Sequence, residues 1–270
     1  MKRKLLGLVM SVCLGFLLVA CGNEVGSDSV IKLGINGEVN SIWKSVQSRL
    51  AEEGIILEFV TFSDYNLPNQ ALSDGEIDAN SFQTIAFFEQ FVSDHNLDLT
   101  SIGYTVLAPM GIYSSKLNDV NEIADGAKVS IQNDASNGGR ALLLLQDAGL
   151  IGLADGVGIT PTVKDITKNP KNLEIVELVA QQLPRSLDDV ELAVINNGVA
   201  VQAGYSPVAD SIYIEDTKSD TVENYFNIIA CRTEDKDDPL LKRLVEVYQT
   251  DETKALIEEE YKGASIPVFE

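Results

Sequence analysis

One short segment places glycines, amides and an arginine directly before a helix-like run. Residues 133–140 have the sequence NDASNGGR and are followed by ALLLLQ. Glycines let a ligand approach the backbone, and the free N–H groups of a helix N-terminus form a site for an anion such as a carboxylate. Arg140 lies in the first turn, where its charge opposes the helix dipole. Arg140 either binds the carboxylate of a ligand through two N–H groups, or it belongs to a plain capped turn and pairs with a surface acid.

Aromatic residues accompany two polar segments upstream of that arginine. Tyr65 lies within FSDYNLPN, Phe82 lies within DANSFQT, and Phe87 and Phe88 follow. Aromatic side chains in loops at strand ends can form the wall of a pocket for an apolar side chain. The alternative is a helix core, which we favour for Phe88 and Phe91.

Two asparagines lie next to or inside apolar strands. Asn196 follows the run AVI, and Asn227 lies within the predicted strand Phe226–Cys231. A buried asparagine must satisfy several hydrogen bonds. Asn227 therefore either contacts a ligand or braces a neighbouring loop, and bracing is the more usual role.

The residues needed for catalysis or for metal binding are scarce. The chain has one histidine, His95, and three cysteines, and it lacks HExxH, CxxC, GxSxG and Walker patterns. Nucleophilic catalysis and most transition-metal sites need such groups, so we predict no catalytic residue, no metal site and no cofactor. Cys231 lies in an apolar run and is predicted to be a buried structural thiol.

The N-terminus has the pattern of a secretory leader. Lys2, Arg3 and Lys4 precede a 16-residue apolar run, Leu5–Ala20, which is shorter than the about 20 residues that span a membrane. The ending LVAC resembles a bacterial lipobox. It predicts a signal peptide over residues 1–20 and a lipidated Cys21 at the start of a tether over residues 21–30. The alternative is an ordinary secreted leader with a chance cysteine.

The charge of the remaining chain limits its partners. The leader holds three of the 20 basic residues and none of the 41 acidic ones, so residues 21–270 have a formal net charge of −24. Such a surface repels nucleic acid and anionic lipid. We therefore expect no nucleic-acid partner, and a ligand that is neutral, zwitterionic or cationic.

These residues must be positioned by alternating strands and helices. The alternation predicts an α/β fold with mostly parallel sheets. The alternation of strands and helices starts again after Pro109, and no flexible linker separates the two halves. This pattern indicates two lobes joined by hinge strands. The predicted strands are Ile31–Ile35, Ile56–Phe62, Leu99–Leu107, Gly111–Ser114, Lys128–Ile131, Leu173–Leu178 and Glu191–Ile195; the predicted helices begin near Asn40, include Leu142–Leu145 and Arg185–Val190, and begin again at Asp238-Pro239 and at Asp251.

Long blocks of the chain resemble the substrate-binding lipoproteins of methionine ABC importers. They are FSDYNLPNQAL, DGEIDANSFQ, IQNDASNGGRALLLLQDAGLI, NPKNLEIVEL, QLPRSLDDV and AVINNGVAVQAG, in this order. The resemblance implies a two-lobed periplasmic-binding-protein fold with a ligand cleft between lobe 1, residues 31–108 and 226–270, and lobe 2, residues 109–225. It also implies a monomer, held by its lipid on the extracytoplasmic face of a cell membrane, that delivers methionine to an ABC permease and its ATPase.

The resemblance also implies roles for individual polar residues. Arg140 is expected to hold the ligand carboxylate, and Asn196 and Asn227 are expected to anchor the amino-acid head group. Competing hypotheses keep the same scaffold but make the protein an enzyme, a surface sensor or an adhesin. A metal- or oxyanion-binding relative is disfavoured, because ligand histidines are missing and the aromatic wall would have no purpose.

The expected side-chain pocket departs from the family pattern. Tyr65, Phe82 and Phe87 should line it, with Phe87 where a tyrosine is usual. Thr84 and Val199 stand where the family usually has a histidine and a tyrosine. Smaller side chains there predict a larger pocket with one polar contact fewer. The head-group contacts should persist, so the ligand is either methionine or, with an altered preference, a methionine derivative, a methionine-containing dipeptide or another apolar amino acid.

Overall fold

The computed structural model describes residues 29–270, so the predicted signal peptide and Cys21 lie outside the described residues. The strands are β1 Val30–Asn36, β2 Ile56–Phe62, β3 Ala79–Asn80, β4 Leu99–Leu107, β5 Gly111–Tyr113, β6 Lys128–Gln132, β7 Gly152–Leu153, β8 Ile166–Lys168, β9 Glu174–Leu178, β10 Leu192–Ile195, β11 Tyr213–Ile214, β12 Phe226–Arg232 and β13 Ile266–Pro267. The helices are α1 Ser41–Glu52, α2 Leu67–Ser73, α3 Ile85–His95, α4 Ala135–Asp147, α5 Leu183–Ser186, α6 Asn197–Gln202, α7 Pro207–Asp210, α8 Pro239–Tyr248 and α9 Asp251–Tyr261.

The strands form two main sheets of different composition. The first has six strands in the order β13-β4-β12-β3-β1-β2, and the second has five in the order β11-β5-β10-β6-β9. In the first sheet β1 is parallel to β2 and β3, whereas β12 is antiparallel to β3 and β4. In the second, β6 is parallel to β9 and β10, whereas β5 is antiparallel to β10 and β11. The prediction of mostly parallel sheets is wrong; both sheets are mixed.

The mixed pairing arises where the chain passes from one sheet to the other. It leaves the first sheet after Leu107, enters the second at Gly111, and returns between Ile214 and Phe226. The strands at these crossings, β5 and β12, are not preceded by a βαβ crossover, and both pair antiparallel with their neighbours. We call the first sheet with its helices the first lobe, and the second sheet with its helices the second lobe.

Each lobe has its own apolar core. Helix α1 packs Ile42, Val46 and Leu50 inward at helical spacing, and Trp43 is buried beside them. Each such side chain stabilises the fold by about 1.5–3 kcal/mol when fully buried. The Asn40 side chain accepts a hydrogen bond from the backbone N–H of Trp43 and so caps this helix.

Two boundaries differ from those predicted. Strand β1 begins at Val30, which pairs with Ile56, so the predicted tether ends one residue too late. The helix predicted over Arg185–Val190 is α5, Leu183–Ser186, because Pro184 occupies its first turn and buried Leu183 anchors it. A membrane-spanning helix needs about 20 apolar residues, and no helix in the described part of the chain meets that requirement.

Candidate ligand-binding cleft

A cavity of about 250 Å³ lies between the two lobes. Ligand pockets for drug-sized molecules measure about 300–1,000 Å³, so this one suits a ligand of amino-acid size. The seven ligand-binding residues predicted from the sequence all line it: Tyr65, Phe82, Thr84, Phe87, Arg140, Asn196 and Asn227.

Three aromatic rings form one wall of the cavity. The ring centroids of Tyr65, Phe82 and Phe87 lie 5.9–6.0 Å from one another, within the range of favourable aromatic pairs. Phe87 also stacks on Phe91, which is buried behind it. Phe88 belongs to the core of the first lobe, so the core interpretation of that residue is confirmed. The wall offers an apolar surface to a ligand side chain.

A buried amide network that the sequence analysis missed supports this wall. The Asn69 side chain exchanges hydrogen bonds of 2.7 Å with Gln83, and Asn80 bonds to both of them. Buried amides must be paired in this way. The network fixes the backbone on either side of Phe82. No local pattern predicts it, because its three members come from separate elements.

Thr84 has a structural bond in addition to its place on the lining. Its hydroxyl accepts a hydrogen bond of 3.2 Å from the backbone N–H of Phe87 and caps α3. Thr84 also forms an isolated antiparallel bridge with Asn227, whose side-chain amide donates to the Val106 carbonyl at 3.2 Å. The side-chain NH₂ group of Asn227 therefore braces a neighbouring strand. Its side-chain oxygen accepts no hydrogen bond from a protein donor within residues 29–270.

Arg140 is held by an acid that the sequence analysis did not identify. Its Nε donates to Glu215 Oε1 at 2.8 Å and its Nη2 to Glu215 Oε2 at 2.5 Å. Only 4% of the Arg140 side chain and 14% of the Glu215 side chain are exposed. The arginine thus pairs with an acid, as the second interpretation held, but this acid is half-buried rather than on the surface, and Arg140 still lines the cavity.

Asn196 belongs to a polar chain that starts at the cap of α4. Its Nδ2 donates to Asn137 Oδ1 and its Oδ1 accepts from Gln132, both at 2.7 Å. Asn137 in turn donates to Asp134, the N-cap of α4. Burial raises the pKa of Asp134, and the hydrogen bonds from Asn137 oppose that shift. This series of hydrogen bonds holds the Asn196 amide at the cavity wall.

The charge of the tyrosines beside the cavity is fixed by burial. Burial and the nearby Asp134 carboxylate raise the pKa of Tyr65, and Arg140 opposes them only partly. Burial also raises the pKa of Tyr225, whose ring lies 4.1 Å from Arg140 Cζ. Both phenols are neutral at pH 7. Tyr65 lines the cavity as a neutral phenol, and Tyr225 presents its ring face to Arg140.

The place of Val199 differs from the expectation. Val199 is buried in a cluster of the second lobe that packs against Tyr65, and it is not part of the cavity lining. Its smaller side chain therefore does not enlarge the pocket directly. The cavity instead extends to α1, α8 and α9, where Trp43, Tyr248 and Tyr261 line it. This extension could not be predicted from the sequence, because these residues fit the helix-core spacing.

The remaining reactive groups lie apart from the cleft. His95 is exposed and stacks on Phe91 at 4.0 Å, with its Nδ1 2.9 Å from the Phe91 carbonyl oxygen. Cys231 is buried in β12, and burial raises its pKa to about 11. Within residues 29–270 no group of three or more His, Cys, Asp or Glu residues is arranged to hold a metal ion.

Comparisons with known proteins agree with this geometry. Residues 31–269 match the family model described as NlpA lipoprotein. The D-methionine-binding lipoprotein MetQ of Escherichia coli (strain K12) is 43% identical over 253 residues, 92% of each chain. The structure of a nutrient binding protein from Burkholderia cenocepacia bound to methionine matches with a TM-score of 0.84 at 41% identity, and the match covers 88% of this chain and 100% of that one. Protein PG110 from Staphylococcus aureus has a TM-score of 0.86 at 45% identity, covering 88% and 94%.

Proposed function

We propose, on the premise that this chain belongs to the NlpA lipoprotein family, that it is the methionine-binding receptor of an ABC importer. The two-lobed fold is that of solved methionine-binding relatives. The observation that carries the proposal is the cavity itself. It combines a buried arginine and two asparagine amides with a wall of three aromatic rings, as a free amino acid with an apolar side chain requires.

The polar residues bind the head group in this proposal. Arg140 binds the carboxylate, and the amides of Asn196 and Asn227 bind the remaining polar atoms. The acceptor that Asn227 leaves free suits the ammonium group of an amino acid. Tyr65 and Phe82 contact the ligand side chain. The pocket holds a zwitterion at one end and a thioether at the other, since sulfur makes favourable contacts with aromatic rings.

Transport requires the two lobes to move and the chain to stay at the membrane. We assign residues 31–108 and 226–270 to one rigid body and 109–225 to the other, with hinges at the two crossings. Closure follows from the higher affinity of the closed form for the ligand. The lipid on Cys21 anchors the monomer on the extracytoplasmic face, where it delivers its cargo to a permease and ATPase pair and catalyses no reaction.

The first experiment identifies the cargo. Residues 22–270, which omit Cys21, are weighed by native mass spectrometry before and after unfolding and refolding to strip any ligand. L-methionine and D-methionine are then titrated calorimetrically. A co-purified mass of methionine with tight rebinding is the expected result. A different mass, or methionine binding much weaker than that of another amino acid or a dipeptide, contradicts a methionine cargo.

A further inference from the structure

Glu215 lies outside the cavity lining but fixes the residue at its polar end. It follows β11, and its two carboxylate oxygens accept from Nε and Nη2 of Arg140. A bidentate pair of this kind is strong and fixes the plane of the guanidinium. Glu215 Oε2 also accepts from the backbone N–H of Met110 at 3.1 Å, so the carboxylate itself is held in place.

The other contacts of the guanidinium leave one donor group facing the cleft. Nη2 also donates to the Ala108 carbonyl at 3.1 Å, and the Tyr225 ring lies against one face, 4.1 Å from Cζ. Nη1 donates to no protein atom within residues 29–270, and it is not sealed from solvent. Since Arg140 lines the cavity, Nη1 is the group that a ligand carboxylate meets.

These contacts come from both chain crossings between the lobes. Ala108 and Met110 lie on the crossing from β4 to β5. Glu215 and Tyr225 lie on the return from β11 to β12. The guanidinium is therefore held by both crossings at once, and its position depends on the geometry of the region where the lobes join.

We propose that Glu215 is a positioning residue for the ligand carboxylate and acts through Arg140. It holds the guanidinium so that Nη1 alone is presented, and the carboxylate is bound end-on by this single amino group. A flexible arginine would lose rotamer freedom on binding, and the preformed pair removes that loss. The proposal deepens the proposed function and rests on it for the identity of the ligand.

The test compares two ligands that differ only at the carboxylate. Methionine and methioninamide are titrated into the wild type, Glu215→Ala and Glu215→Gln. Glu215→Gln keeps the side-chain shape, so it serves if Glu215→Ala does not fold. We expect both variants to bind methionine at least about tenfold more weakly, because the contact between its carboxylate and a charged donor is disturbed. The affinity for methioninamide should fall much less. Equal losses for both ligands, or no loss for methionine, overturn the proposal.

Glu191→Gln is the matched control. Glu191 also lies in the second lobe, accepts from the backbone N–H of Lys128 at 2.8 Å and pairs with a cation, Lys116, at 3.6 Å. It is absent from the cavity lining. This variant should bind both ligands as the wild type does.

A readout without ligand separates this proposal from the proposed function. Phenylglyoxal modifies accessible arginines, and peptide mapping by mass spectrometry follows the rate at Arg140. Release of Arg140 in Glu215→Ala or Glu215→Gln should speed the modification, and an unchanged rate overturns the positioning role. If the wild type binds neither methionine nor methioninamide, the proposed cargo fails while the labelling still decides the role of Glu215.

Discussion

At the scale of single residues, the ion pair determines what a substitution of Arg140 reports. Arg140→Ala leaves the half-buried Glu215 carboxylate without its cation, with only the Met110 N–H still bonded to it; breaking such a pair costs up to about 3–5 kcal/mol and mixes folding with binding. Arg140→Lys keeps the positive charge, but its single ammonium group cannot both form a bidentate pair with Glu215 and present a second amino group to the ligand. We expect Arg140→Lys to fold and to bind methionine at least about tenfold more weakly in calorimetry. Wild-type affinity in this variant would falsify the carboxylate role.

Thr84 supports a second prediction at this scale. Its hydroxyl caps α3 in the structure, so Thr84→Ala should lower the free energy of unfolding by about 1 kcal/mol. Thr84→Ser keeps the cap and should remain close to the wild type. Urea unfolding of the ligand-free protein measures both. Equal stability of the two variants would show that the cap contributes nothing.

The sequence predicts the cavity-lining residues better than their partners. The seven predicted residues lie beside or inside apolar runs, and the strand ends and helix starts that meet at the cleft place them together. Glu215 could not be found in this way, because it lies 75 residues from Arg140 and follows a strand of two residues. Only the fold shows that the arginine already has an acidic partner.

At the scale of elements, the cap of α4 carries a pH dependence. Because the folded-state pKa of Asp134 is raised by burial, the folded state binds its proton more tightly than the unfolded state. Its contribution to stability is therefore lost as pH rises from the ordinary aspartate value, about 4, through the folded-state pKa. Asp134→Asn keeps a capping oxygen without the charge, so its unfolding free energy should rise relative to the wild type over this interval.

Asp134→Ala is the contrasting variant for that measurement. It removes the cap and should lose about 1 kcal/mol even where Asp134 is protonated. Urea unfolding of the three proteins between about pH 4 and about pH 7 separates the cap from the charge. A wild type that gains stability over Asp134→Asn with rising pH would mean that the hydrogen bonds from Asn137 outweigh burial.

Long apolar elements were predictable and short ones were not. The strands Ile56–Phe62 and Leu99–Leu107 have the predicted bounds and the last helix begins at the predicted Asp251, since their periodicity extends over several residues. Strands of two residues, such as β3, β11 and β13, have too few residues to show a period. Strand direction was also misjudged, because alternation along the chain does not record which strands pair across a crossing.

For the whole molecule, hydrogen bonds away from the crossings also join the two lobes. The Asn197 side chain of the second lobe donates to the Ala264 carbonyl of the first lobe at 2.5 Å, and Asn197 is only 4% exposed. The Gln202 side chain reaches the Asn36 carbonyl at 3.4 Å. Both contacts flank the cavity, and both must break if the lobes separate to admit a ligand.

Asn197→Ala tests whether this contact exists only in the closed form. The hydrogen bond contributes about 0.5–1.5 kcal/mol, so methionine affinity should fall about two- to twelvefold. If the ligand-free protein is open, its free energy of unfolding should not change. Asn169→Ala is the control, because Asn169 makes the same amide-to-carbonyl bond to Leu173 within the second lobe. It should lower stability and leave affinity unchanged. If Asn197→Ala instead lowers the stability of the ligand-free protein and leaves the methionine affinity unchanged, the lobes do not separate at this contact. The hinge assigned to the two crossings then does not open the cleft there.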